Sequence, residues 1–208
     1  MNNVLLNNID HKDLRVITTR SAAYGDDVKF ALTFPAEFRN IQAHYPIVFH
    51  KGADGKFQSV ALLGFQDKEN LFLGPDGWDA QYVPLTVERQ PFLIGFRDRE
   101  PMVHIDLDSP RVSRTEGEAL FRAYGGSTDF LERMSSVLLT IHQGLEAVPA
   151  FIDALLQHDL LESFVLDVEL NDRSQHRLTG FYTINEERLG ALHAGRLERM
   201  HQAGYLQA

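Results

Sequence analysis

Between His44 and Phe96 the apolar positions gather into four short runs, HYPIVFHK, SVALLGF, NLFLGPDGW and YVPLTVERQPFLIGF, each bounded by turn residues. Runs of this length between Gly, Pro and Asp predict a compact antiparallel sheet, with loops that present Trp78, Tyr82 and Arg89 on one side. Pro46 demands an extended start, so Ile47 to His50 reads as a strand, and Gly52, Asp54 and Gly55 turn the chain into Phe57 to Phe65. Asn70 to Leu73 reads as a further strand, closed by Gly74-Pro75-Asp76-Gly77. Pro84 and Pro91 break the next stretch into an edge or bulged segment before Phe92 to Arg97, and Met102 to Leu107 completes a meander. Upstream, Leu14 to Thr18 predicts a short strand, and Ala36 to Ala43 a short helix behind Pro35.

From about Thr115 the apolar period changes from two towards 3.6. Thr115 with Glu118 three residues later has the form of a capping box, so a helix is expected over Ala119, Leu120 and Phe121, ending at Gly125-Gly126. Ser127 or Thr128 then caps a second helix through Phe130, Met134, Val137, Leu138 and Ile141, and Pro149 starts a third over Ala150 to Gln157. Phe164 to Leu170 and Arg177 to Ile184 alternate about an Asn171-to-Gln175 turn, as a second hairpin does. Asn185 caps a final helix whose inner face carries Leu189, Leu192, Leu197, Met200 and Leu206.

Strands first and helices later, with one more hairpin returning to the sheet, predict an α+β fold: an antiparallel sheet from an N-terminal meander plus a later hairpin, packed with C-terminal helices. The 208 residues suit one domain, with a β-rich lobe over about 1–112 and a mainly helical lobe over about 113–208. Zero cysteines exclude a disulfide framework, thiolate zinc and a cysteine nucleophile. A net charge of -9 disfavours nucleic acid as a partner, although Arg89, Arg97 and Arg99 fall close together in sequence. The N-terminal stretch lacks the basic and long apolar regions of a signal peptide, and no apolar run reaches the roughly 20 residues of a membrane helix. The expected location is the cytoplasm, with no membrane span.

No H-E-x-x-H, G-x-S-x-G, Walker or dinucleotide fingerprint is present, so no catalytic residue is assigned. Trp78, Tyr82 and Pro84 suit an extended peptide or an aromatic group, and Arg89 suits a carboxylate. The more ordinary reading is that Trp78 and Tyr82 cover the edge of the core and Arg89 makes an internal ion pair. His44 and Tyr45, at the entry to the first of the central strands, join Trp78, Tyr82 and Arg89 as candidate ligand contacts. His104-x-Asp106 places an imidazole and a carboxylate on one face of a strand. With His176 or His158 it would form the two-histidine, one-carboxylate set of a nonhaem Fe(II) oxygenase, an alternative to a protein with no cofactor.

Taken in order, HYPIVFHK, VALLGF, NLFLGPDGW, YVPLTVERQPF, GEALF, LTGFYTINEERL and GYL resemble the SapC family of bacterial proteins, over about Ala36 to Leu206. The family takes its name from bacterial surface-layer proteins. Its members are found beside tryptophan halogenases, cupin-like oxygenases and TonB-dependent outer-membrane receptors. The resemblance therefore implies a noncatalytic accessory or binding protein with a protein or peptide partner drawn from those systems. A structural envelope component and the iron oxygenase stand as alternatives. If Leu189, Leu192 and Leu197 are not all internal, the last helix offers a face for a homodimer.

Overall fold

The structure is a computed structural model that describes every residue except Met1, Arg99 and Asp172. Arg99, the third member of the basic group read from the sequence, lies outside the described residues. In chain order the elements are strands β1 (Asn3–Leu5), β2 (Arg15–Val16) and β3 (Phe30–Leu32), helix α1 (Phe38–Ile41), and strands β4 (Ile47–Lys51), β5 (Phe57–Leu62), β6 (Leu73–Gly74) and β7 (Gly77–Trp78). Helix α2 (Leu85–Glu88) follows, then β8 (Phe92–Arg97), β9 (Glu100–Asp106), β10 (Val112–Ser113) and β11 (Glu118–Ala119). Helix α3 (Asp129–Gln157), strands β12 (Leu161–Glu169) and β13 (Gln175–Ile184), and helices α4 (Glu186–Gly190) and α5 (Ala194–Gln202) complete the chain. The α+β expectation holds, and every strand pairing is antiparallel.

The chain divides into two compact units, and each takes two separate stretches of sequence. Residues 1–27 with 72–143 make the first, and residues 28–71 with 144–208 make the second. These units do not coincide with the β-rich and helical lobes, about 1–112 and 113–208, expected from the order of strands and helices.

In the first unit the strands run β1-β9-β8, with a second small sheet β10-β2-β11 and the β6-β7 ribbon. Phe92 pairs with Ile105 in register, and both are fully buried on one face of β8 and β9. The Phe92 ring lies 6.1 Å from Phe130, at the start of α3. Leu131, Met134, Val137, Leu138 and Ile141 extend that contact face along the helix at three- and four-residue spacing.

In the second unit the five-stranded sheet has the order β12-β13-β4-β5-β3. Val48, Val60, Leu62, Leu178 and Phe181 fill one side. Phe49, on the other side of β4, meets Phe151 of α3 with ring centroids 6.3 Å apart. Simple alternation would place Leu178 and Phe181 on opposite faces. A register shift between Phe164 and Leu166, with Gly180 at φ +81°, turns both inward.

Several expected elements differ. Of the strand expected over Asn70 to Leu73 only Leu73 is extended, as the first residue of β6, and the edge or bulged segment expected between Pro84 and Pro91 holds helix α2 instead. No helix forms over residues 119–121. Ser113 Oγ accepts from Thr115 N and Glu116 N at 3.1 Å each, and Gly117 sits at φ +91° with Val16 O 2.2 Å from where a Cβ would stand. The chain is thus bent into β11 against β2, and a left-handed residue cannot continue a helix. The two helices expected on either side of Pro149 are one 29-residue helix. Thr128 caps it as expected, accepting from Leu131 N at 3.3 Å. The last helix is two: Asn185 caps α4 by accepting from Arg188 N at 2.8 Å, and His193 begins α5.

Candidate functional site

The site is built where α2 hands the chain to β8. Val87 N and Arg89 N donate to the Pro84 and Leu85 carbonyls, closing one tight turn of helix, and Gln90-Pro91, a cis bond, leads into Phe92. Arg89 folds back so that Nη1 donates to the Phe92 carbonyl at 2.6 Å. Among the described residues no carboxylate lies within ion-pair distance of it. Burial pushes the guanidinium below its ordinary pKa, with no anion acting against that shift.

Arg89 lines a cleft of about 520 Å³ together with Tyr24, Pro91, Leu93, Asp106 and Asp108. The cleft therefore holds one half-buried cation, two carboxylates and an apolar wall. Asp106 Oδ1 is held by Asn2 N at 2.8 Å and Asp108 N at 3.2 Å, a consequence of β1 pairing Asn3 with Asp106.

Behind the cleft lies a polar network that no local sequence signal announced. Asp26 is fully buried, and its Oδ2 accepts from Arg111 Nη2 at 2.5 Å and from Ser21 N at 2.8 Å. Arg20 Nη1 donates to Asp26 Oδ1 at 3.2 Å. Arg111, only 1% exposed, also donates to the Ile17 and Thr19 carbonyls at 3.0 Å each, while its Nε is buried without a partner. Burial lowers the Arg111 pKa, the Asp26 carboxylate opposes that, and Arg20 adds to it. The Arg111 guanidinium stands 5.5 Å over the Tyr24 ring, so this network also positions one wall of the cleft.

A second cavity of about 500 Å³ in the same unit is lined by Arg20, Arg111, Arg133, Glu88 and Phe130, and shares Gln90 with the first. Its central charges are matched internally, since Arg133 pairs with Glu88 and both Arg20 and Arg111 pair with Asp26. Among the described residues lining the two cavities, Arg89 is the cation without a carboxylate within ion-pair distance.

The SapC family profile matches residues 6–208. The chain belongs to the SapC family. No curated protein and no solved structure matches it.

In this SapC protein the candidate residues read from sequence are distributed unevenly. Arg89 and Asp106 share the cleft. Trp78, paired with Leu73 across the β6-β7 ribbon, and Tyr82 are both half-buried and do not line it. Tyr45 is a core residue of the second unit, 3% exposed, and the half-buried His44 ring lies 5.9 Å from it.

His104 and Asp106 do lie on one face of β9. His104 Nδ1 donates to Met102 O at 3.3 Å, and the ring covers Gly95, where a Cβ would stand 2.3 Å from Cε1. His176 belongs to the second unit, stacked on Phe65 at 5.3 Å, with Gln66 and Ser174 each 3.1 Å from a ring nitrogen. Both nitrogens are thus engaged. His158 is also in the second unit, with Nδ1 buried and unpartnered. Among the described residues no three His, Asp or Glu side chains group as a metal site. None of the described helices is long and apolar enough to cross a membrane.

Proposed function

We propose that this SapC protein is a noncatalytic binding module that holds an extended peptide segment of a partner protein at the Arg89 cleft. The observation that carries the reading is Arg89 itself: a guanidinium partly withdrawn from water, with a backbone carbonyl and no carboxylate for company, opening onto a cleft. A desolvated cation in that position is satisfied by a ligand carboxylate, a side chain or a chain terminus, bound through two parallel N–H···O bonds. Asp106 receives a cationic group of the same ligand, and Tyr24, Pro91 and Leu93 receive an apolar side chain. A peptide offers all three kinds of group at short spacing. Among the described residues of the cleft, Ser109 Oγ accepts a hydrogen bond from Arg111 N, a bond that supplies no base for a nucleophile. The partners to look for first are the tryptophan halogenases, cupin-like oxygenases and outer-membrane receptors found alongside SapC proteins.

The test is quantitative affinity purification from native cells at endogenous expression, comparing wild type with Arg89→Gln. Glutamine retains a donor for the Phe92 carbonyl and removes the charge. A partner recovered by wild type is expected to bind the variant about 30-fold or more weakly, the loss of a charge-assisted pair of roughly 2 kcal/mol, with thermal unfolding close to wild type. A partner that binds both equally would overturn the assignment of the cleft.

A further inference from the structure

We infer that the second unit contains a binding pocket for a small, uncharged aromatic molecule of about two fused rings. A cavity of about 250 Å³ lies there, with walls that include Phe38, Phe49, Phe151, Leu160 and Tyr205. Phe151 is the centre of the aromatic wall, its ring 5.9 Å from Phe38, 6.3 Å from Phe49 and 5.4 Å from Tyr205. The Phe38 and Tyr205 contacts are edge-to-face, the geometry in which ring edges meet ring faces favourably. The space is open to the surface on the side of Gln42 and Leu206, and its volume is several times the roughly 30 Å³ that one water occupies.

The size and chemistry of the walls define the ligand. An apolar cavity of about 150 Å³ in another protein takes up benzene, so 250 Å³ suits one further ring. No charged side chain lines the pocket, and its polar side chains besides the Tyr205 hydroxyl are Gln42 and Thr183. An anionic ligand would find no cation there, whereas one hydroxyl or ring N–H has partners. Gln42 is exposed and Leu206 is 40% exposed, which marks the side from which a ligand enters.

This site belongs to a different unit from the Arg89 cleft and does not rest on the peptide reading. The test titrates 1-naphthol and 1-naphthoate into the full chain by calorimetry, with methyl NMR on the naphthol complex. Naphthol is expected to bind with Kd below about 100 µM, and naphthoate at least about tenfold more weakly, since its carboxylate has no partner. Shift changes should concentrate on Leu155, Leu160, Leu189 and Met200. Leu189→Trp, which fills the pocket from a half-buried position, should lose naphthol binding while Arg89→Gln retains it. Absence of naphthol binding, naphthoate binding of equal strength, or shifts scattered over other methyl groups would each overturn the proposal, and the NMR result stands even if Leu189→Trp fails to fold.

Discussion

At the scale of single residues, the first unit depends on one carboxylate. Asp26 is 85 positions from Arg111 in sequence, yet the two form a fully buried pair that also gathers Ser21 N and Arg20. Removing one member of such a pair leaves a buried charge unmatched, so Asp26→Ala is expected to cost about 3–5 kcal/mol, seen as a lower denaturant midpoint at unchanged slope. A loss below about 1 kcal/mol would mean that water reaches Arg111 and solvates it. Reading from sequence passed over Asp26 because an aspartate after Ala-Ala-Tyr-Gly looks like an ordinary turn residue. Arg89, by contrast, was legible as a ligand candidate. Its turn-bounded position before Pro91 is local information, and what the fold added is that no carboxylate comes to meet it. Tyr45 illustrates the opposite case, an aromatic beside a turn proline that the fold uses as core.

At the scale of elements, the long helix α3 shows burial overriding a local breaker. Pro149 lacks an N–H and crowds the preceding turn, and it was read as a helix start for that reason. The apolar stripe continues across it through Val148, Phe151, Ile152 and Leu155, all buried, and Gly144 lies so close to the Phe34 ring that a Cβ would stand 2.2 Å away. Helix packing on that face keeps the turn of Pro149 helical. Because Pro149 itself is exposed, Pro149→Ala is expected to stabilise the protein by about 1–3 kcal/mol without altering its contacts, measured as a raised unfolding midpoint. A destabilised variant would show that the helix needs the proline's bend. The Thr115 capping box failed for a related reason. Its spacing is correct, but Gly117 is held left-handed against Val16 O, and pairing with β2 outweighs a helix of one turn.

At the scale of the whole molecule, the two interleaved units determine what can be cut. A fragment of residues 1–112 retains β8 and β9 but loses the helix that covers Phe92 and Ile105, and it retains β4 but loses β13. The complementary fragment has the β12-β13 hairpin without the strands beside it. Neither is expected to fold alone, giving disordered NMR spectra separately and, if complementation succeeds, a dispersed spectrum on mixing. A dispersed spectrum from residues 1–112 alone would overturn this account of the units. The same interleaving means that a division by element order, strands before residue 112 and helices after, does not follow these units, since β12 and β13 lie after that boundary and join the unit of β4.

By itself the sequence determined the hairpins of β4 with β5 and β12 with β13, the strands at β8 and β9, a cap at Ser127 or Thr128, the cap at Asn185, the α+β class and the exclusion of thiol chemistry, and its ordered motifs determined the membership of the SapC family. All but the family membership are carried by periodicity, turn chemistry and composition, which act over a few residues or over the chain as an unordered whole. Only the tertiary structure decided that the later hairpin joins β4 rather than the meander of β8 and β9, that Asp26 meets Arg111, that Arg89 opens onto a cleft, and that Phe38, Phe49, Phe151 and Tyr205 enclose a pocket. Each of those joins residues tens of positions apart, where no local propensity reaches. They are settled by which apolar faces can be covered at once while a fully buried charge such as Asp26 finds a partner.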